Sequence, residues 1–195
     1  ALCARMGTST LPRIKFEMKL SLFNSSYTEE VIELFTKVFS ESENELEGQV
    51  IGNLVSDLIA TTESEDLIGF VATSNERIVG CILFSRFIVP SDEVAFILSP
   101  VAIATSEQGT GIGQQLTNYG LNHLKSLKVN LAFTYGDPRF YSKVGFSQIS
   151  ESVVKAPYEL SQPEGWLAQS LDGNPIKAIQ GSSKCVEALS DQKYW

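Results

Sequence analysis

The stretch from Leu67 to Ala104 constrains this chain most, because three apolar runs there are separated only by turns of three and four residues. The runs are "LIGFVATS" (Leu67–Ser74), "IVGCILFSRFIV" (Ile78–Val89) and "VAFILSPVAIA" (Val94–Ala104). All are rich in the β-branched and aromatic residues that suit a pleated strand. The links "NER" and "PSDE" are turn sequence. Turns this short connect antiparallel neighbours, since a parallel pair needs a crossover of about a dozen residues or more. Pro100 lies inside the third run and cannot donate a ladder hydrogen bond, so a bulge or a splayed edge is expected there.

Helical and strand-like segments flank this block. "MKLSLFN" (Met18–Asn24) alternates as a first strand does. Ser26 with Glu29 predicts a capping box, and Glu29 and Glu30 complement a helix N-terminus. Val31, Leu34, Phe35, Val38 and Phe39 then recur at helical spacing. A second helix is predicted from the stripe Leu46, Val50, Leu54 and Leu58, with Ile51, Val55 and Ile59 beside it. After the strand block, a helix to about Lys128 is expected to turn Ile112, Leu116, Tyr119, Leu124 and Leu127 inward. "LAFTYG" (Leu131–Gly136) reads as a buried strand. "DPRFYSKV" reads as one or two helical turns, with Pro138 near the start and Asp137 as cap. "GFSQIS" and "EGWLAQSL" read as further strands, and the last ~20 residues show no clear period.

The order β-α-α-β-β-β-α-β-α-β is not a regular βαβ alternation. It predicts an α/β fold of the α+β kind, with a mixed, mostly antiparallel central sheet flanked by helices. The core is expected over residues 18–150, with residues 151–195 adding a C-terminal strand and tail that complete the same domain. Residues 1–17 read as an N-terminal extension or a cloning remnant, without the apolar core of a secretory signal.

Composition narrows the function. A chain of 195 residues with 43% apolar content can fill one such core. The net charge of −8, with no Lys/Arg cluster, argues against nucleic acid as partner. An acidic surface favours a cationic substrate such as an amine. Cys3, Cys81 and Cys185 are few, odd in number and far apart, so neither a disulfide framework nor a metal site is supported. Cys81 in "IVGCILF" reads as a small buried residue, and a reducing cytoplasm fits. No run approaches the ~18 apolar residues of a membrane span, so no membrane association is expected.

The chemistry-bearing stretch is "SEQGTGIGQQL", Ser106 to Leu116. Glycines just ahead of a helix let backbone N–H groups approach a phosphate. A Walker A loop would need Lys-Ser/Thr after the last glycine, and here Gly113 is followed by Gln114 and Gln115. The dinucleotide fingerprint would need glycine at the position of Gln114 and a strand directly upstream. A glycine-rich turn before an ordinary helix is the plain alternative.

The spacing Gln108-x-x-Gly111-x-Gly113 resembles the Q/R-x-x-G-x-G/A signature of the GNAT superfamily of N-acetyltransferases. "GDPRFYSKVGF" (Gly136–Phe146) resembles that family's later motif, a short helix carrying a tyrosine and ending at a "GF" strand start. Together the two look most like the small bacterial predicted-acetyltransferase branch, over roughly Met18 to Ile149. Two positions depart: Thr105 stands where a proline is common, and Tyr135-Gly136 where many members carry Asn.

The resemblance implies a sheet with splayed central strands and acetyl-CoA as cosubstrate, with no metal. The pyrophosphate would sit over Gln108, Gly109, Thr110, Gly111, Ile112 and Gly113. The pantetheine arm would pair along Val101, Ala102 and Ile103, and Ser142 would touch CoA. Tyr141 stands at the position of the general acid, and the Val101 amide is a candidate oxyanion donor. Glu93 is a candidate base or a solvated turn acid. His123 is expected on an outer helix face, and Arg139 and Lys143 either meet phosphates or face water. The implied reaction moves an acetyl group to a primary amine, of a small molecule or a peptide, by direct attack in a ternary complex. The alternative is a catalytically silent acetyl-CoA-binding or sensing module. Dimerisation is common in the family.

Overall fold

The computed structural model describes residues 17–195. The extension read over residues 1–17, with Cys3, therefore lies outside the described residues except for Glu17. The strands are β1 (Met18–Leu22), β2 (Leu67–Ser74), β3 (Arg77–Ile88), β4 (Ala95–Ile103), β5 (Leu131–Tyr135), β6 (Ser147–Gln148), β7 (Val154–Lys155), β8 (Trp166–Ser170), β9 (Ile179–Ser182) and β10 (Lys184–Cys185). The helices are α1 (Thr28–Ser42), α2 (Glu45–Thr61), α3 (Ile112–Ser126) and the single turn α4 (Pro138–Tyr141).

The main sheet runs β1-β2-β3-β4-β5-β8-β6, with β10 on β3, and only β4 and β5 within it are parallel. The predicted mixed, mostly antiparallel sheet is thus present. The C-terminal segment enters it directly, because β8 lies between β5 and β6. A separate two-stranded ladder joins β7 to β9.

Side chains alternate across the sheet, so it carries a core on each face. Leu83, Phe87, Phe133 and Trp166 face α1 and α2, meeting Val31, Phe35, Leu54, Val55 and Leu58. Phe70, Ile82, Phe84 and Phe96 face α3, meeting Leu116, Leu121 and Leu124. Each such side chain contributes roughly 2 kcal/mol by burial, which fixes α3 firmly against the strands.

The bulge expected at Pro100 is present. Ile82 pairs with Val101 and Phe84 with Leu98, so Leu83 alone faces Ser99 and Pro100 together. On its other edge β4 pairs with β5 only from Ala95 to Leu98, the last rung being Leu98↔Thr134. Beyond it β4 runs on to Ile103 with no strand partner on that edge, while β5 ends at Tyr135.

Several local expectations are corrected. Ser26 and Glu29 form no capping box. The Asn24 side chain instead accepts from Ser26 N at 3.0 Å, a 3-10 turn fills Ser25–Tyr27, and the helix begins at Thr28. Glu30 spans to the sheet, where its carboxylate accepts from Ile78 N at 2.7 Å. Leu46 is 71% exposed, because α2 meets α1 through Gly48 and Gly52, which lie against Ser40 and Thr36. That close approach turns the buried face towards Ile51, Leu54, Val55 and Leu58. Tyr119 and Leu127 are also exposed, since α3 seats Thr117, Gly120 and Leu121 on the sheet instead. In "GFSQIS" the strand is short: Ser147 and Gln148 pair with β8, and Ile149 N donates to Trp166 O at 3.0 Å.

Gly120 sets the distance of α3 from the sheet. A Cβ there would lie 2.7 Å from the Phe84 ring and 3.0 Å from Phe70. Alanine would gain about 1 kcal/mol of helix propensity, but overpacking two buried rings costs about 1–3 kcal/mol. Gly120→Ala is therefore expected to lower stability by about 1 kcal/mol in urea unfolding. A rise in the midpoint would show that α3 stands further off.

Candidate functional site

β4 ends at Ile103, and the chain then makes a 3-10 turn at Thr105–Glu107 before the glycine segment. Gly109 has φ +77° and Gly111 +87°, a left-handed backbone that glycine alone adopts freely. Gly111 caps α3 with no side-chain acceptor, and the first helical bond runs from Gln115 N to Gly111 O at 3.0 Å. The amides from Gly109 to Gln114 thus have no backbone acceptor among the described residues. They gather at the positive end of a 15-residue helix, an arrangement that attracts an anion.

Side chains hold this turn in place. Gln108 Nε2 donates to Ile103 O at 3.0 Å, and Thr110 Oγ1 donates to Glu107 O at 2.6 Å. A cleft of about 360 Å³ opens beside it, lined by Ile103, Gln108, Gly109, Gly111, Phe140 and Lys143 among others. The three glycines serve different ends. A Cβ on Gly109 would meet nothing within 4 Å, so its backbone angle is what requires glycine. Gly113 is buried, and a Cβ there would press on the Phe140 ring at 3.2 Å.

The strand edge is open beside the turn. Ala104 N donates to Val79 O, so by antiparallel alternation Ala102 also faces β3. Val101 and Ile103 therefore direct their amides and carbonyls away from β3, to the edge of β4 that β5 does not reach. Of the three β4 residues proposed from sequence, Ala102 is committed to the ladder with Cys81.

Tyr141 closes α4 and is half-buried. Its ring meets Phe140 edge-on at 4.9 Å and Phe146 at 5.7 Å. Gly136 makes room for it, since a Cβ at that position would lie 2.8 Å from the Tyr141 ring. Burial raises the phenol pKa above its ordinary value; the nearby Thr134 hydroxyl lowers it, and the Asp137 charge raises it slightly. The phenol is therefore held protonated at neutral pH.

Asp137 caps α4 as predicted, accepting from Arg139 N at 2.9 Å. It also clasps the Arg139 guanidinium at 2.9–3.1 Å, which holds its carboxyl below the usual carboxylate range. Arg139 is tied to this cap, whereas Lys143 lines the cleft. Ser142 is exposed and does not line the cleft. Glu93 lies in the β3–β4 turn beside Ser91, at the end of β4 opposite the glycine turn. About eight residues of strand, roughly 26 Å, separate it from Val101, which removes it as a candidate base. His123 packs edge-on against Phe70 at 5.4 Å, far along α3 from the turn. Sequence reasoning missed Phe140, which forms the wall facing Gly113. Its place directly before the tyrosine was the available signal.

A larger cleft of about 760 Å³ lies between α1 and the β3 and β4 ends, with Glu33, Lys37, Glu41 and Arg77 on its walls. No group of three or more metal-ligating side chains occurs among the described residues. Among them no helix is long and apolar enough to cross a membrane.

Residues 65–148 match the family model described as an acetyltransferase (GNAT) domain. The chain is 26% identical over 141 residues to "Uncharacterized N-acetyltransferase YjhQ" of Escherichia coli (strain K12), covering 67% of this chain and 77% of that one. Its fold is similar to the crystal structure of the GNAT family N-acetyltransferase YhbS from Escherichia coli in complex with CoA. The TM-score there is 0.76 at 22% identity, over 90% of this chain and 93% of that one. A GNAT family acetyltransferase from Brucella melitensis in complex with acetyl-CoA gives a TM-score of 0.70 at 20% identity, over 90% and 99% of the two chains.

The Asp137 cap predicts a local pH response. The bond to Arg139 N needs the carboxylate, and the folded pKa is depressed, so the cap persists above the ordinary carboxylate range. It is lost as pH falls through the depressed value. Hydrogen exchange at Arg139 N should accelerate, relative to its intrinsic rate, only in that acid range. In Asp137→Ala it should be fast at neutral pH too.

Proposed function

With residues 65–148 a GNAT acetyltransferase domain, we propose that the protein is an acetyl-CoA-dependent N-acetyltransferase that acetylates a primary amine within a ternary complex. The observation that carries this reading is the row of unpaired amides at the α3 N-terminus, set beside an open β4 edge. A pyrophosphate fits the first feature, since it offers oxygens to several N–H groups at once. A pantetheine arm, which contains amides, fits the second. Lys143 supplies a cationic side chain to the same cleft, while Gly113 and Phe140 shape its floor. Gln108 acts by tying the turn to Ile103.

The acceptor is a small-molecule or peptide amine in its neutral form, and it attacks the thioester carbonyl. The Val101 amide, directed to the edge of β4 that β5 does not reach, donates to the developing oxyanion. As the carbon–sulfur bond breaks, Tyr141 gives its proton to the departing thiolate. The nitrogen sheds its surplus proton to water, and Tyr141 regains one from solvent. A reducing cytoplasm is the setting we assign, with Cys81 and Cys185 as free thiols.

Titration calorimetry with acetyl-CoA, with NAD as control, tests the cofactor. Micromolar binding of acetyl-CoA alone is expected, and its absence would overturn the reading. Gly111→Val places a β-branched residue at φ +87°, a strain of roughly 1–2 kcal/mol, with its side chain in the path of the phosphate. CoA affinity should fall about tenfold or more. Tyr141→Phe should retain binding within about twofold and lower kcat roughly a hundredfold. Because the phenol pKa is raised above its ordinary value of about 10, wild-type kcat should not lose its acid until pH exceeds that value. Binding without turnover of any amine would identify a silent acetyl-CoA-binding module instead.

A further inference from the structure

The connection from β4 to α3 is exposed at Thr105, Ser106, Gln108, Gly109 and Thr110. Most of its ties are internal. Glu107 N donates to Ala104 O at 2.8 Å, Gln108 Nε2 to Ile103 O at 3.0 Å and Thr110 Oγ1 to Glu107 O at 2.6 Å. One tie comes from elsewhere in the fold. The Thr105 hydroxyl donates to the Glu41 carboxylate in the last turn of α1, 64 positions away in sequence. Among the described residues, no other group outside the connection bonds to residues 105–110. α1 is a firm mount for this contact. Val31, Leu34, Phe35 and Val38 bury its inner face, and Glu30 in its first turn accepts from Ile78 N at the start of β3. Lys37 comes no nearer to Glu41 than 3.9 Å, and its side chain is 74% exposed, so it competes weakly for the carboxylate.

We propose that Glu41 and Thr105 are positioning residues for the glycine turn, holding it against α1 so that its amides are gathered before a phosphate arrives. The inference rests on the turn being the pyrophosphate site of acetyl-CoA. A connection free to move must be ordered on binding, which costs affinity, and one already ordered escapes that cost. The bond is charge-assisted, which gives it strength beyond that of a neutral pair. Neither side chain touches the cofactor in this account. Both line the larger cleft beside α1, and neither lines the cleft beside the glycines. Their effect reaches the ligand only through the backbone that Thr105 begins.

Titration calorimetry with acetyl-CoA gives the first readout. Thr105→Val, which keeps the side-chain shape and removes the donor, should raise Kd about fivefold. Thr105→Ser keeps the hydroxyl and should stay within about twofold of wild type. Glu41→Ala should match the valine variant, and the two substitutions together should lose no more than either alone, since each removes the same bond. In an acetyl-transfer assay the loss should fall on KM for acetyl-CoA, with kcat at saturation unchanged. The second readout needs no cofactor. In the unliganded protein, hydrogen exchange at Glu107 N and Gln108 N should accelerate in Thr105→Val and Glu41→Ala, while the α3 amides and the urea midpoint stay as in wild type. An unchanged Kd in Thr105→Val, losses that multiply in the double variant, or a loss confined to kcat would overturn the proposal. A wild-type protein that binds no acetyl-CoA overturns the acetyl-CoA reading, while exchange at Glu107 and Gln108 still judges whether Glu41 holds the turn.

Discussion

The end of the β4–β5 pairing at Leu98 and Thr134 is the constraint on which the rest of the site depends. Up to that rung two parallel strands share one ladder, sealed on both faces by buried aromatic side chains. Past it, β4 loses β5 as a partner, and after a one-residue register shift at Ser99 and Pro100 it goes on pairing with β3 from Val101 to Ile103. The outcome is a strand whose inner edge is saturated and whose outer edge is free. Such an edge would be costly if dry, since unpaired amides must find a partner. A ligand carrying amides of its own is the natural complement.

The glycine turn extends the same principle to charge. Its amides would be paired in any longer helix, but two left-handed residues stop the helix short and leave them pointing outwards. Backbone geometry, rather than a basic side-chain cluster, gathers these unpaired amides in a protein of net charge −8. The positive potential is therefore local, which suits a phosphate at one defined spot.

The strand block, the Pro100 bulge, the two motifs and the cap at Asp137 were legible because each depends on residues close in sequence. The failures share a different cause. Leu46, Tyr119 and Leu127 look apolar and periodic, yet small residues nearby set the helix orientation through close approach. A periodicity argument weighs large side chains and overlooks glycine at a contact. The Ser26 cap failed because Asn24 upstream was the better acceptor for a tighter turn. Gly136 and Phe140 went unread as site residues because their roles exist only once Tyr141 has folded over them. Ala102 required the pairing phase of β4, which no composition carries.

The position of β8 has a consequence for the order in which the molecule is made. Tyr141 sits on the connection between β5 and β6, but those strands do not touch; β8, some thirty residues later in sequence, lies between them and joins both. Gly136 N donates to Gly165 O, and the Gln169 side chain donates to Val144 O, so both ends of the tyrosine segment are anchored by that later strand. A chain emerging from the ribosome can form the antiparallel meander and the glycine turn early, from local contacts. The tyrosine segment gains its anchors only after the C-terminal strand has threaded home. The glycine turn is thus an early product of folding, and the tyrosine segment takes its final place at the end.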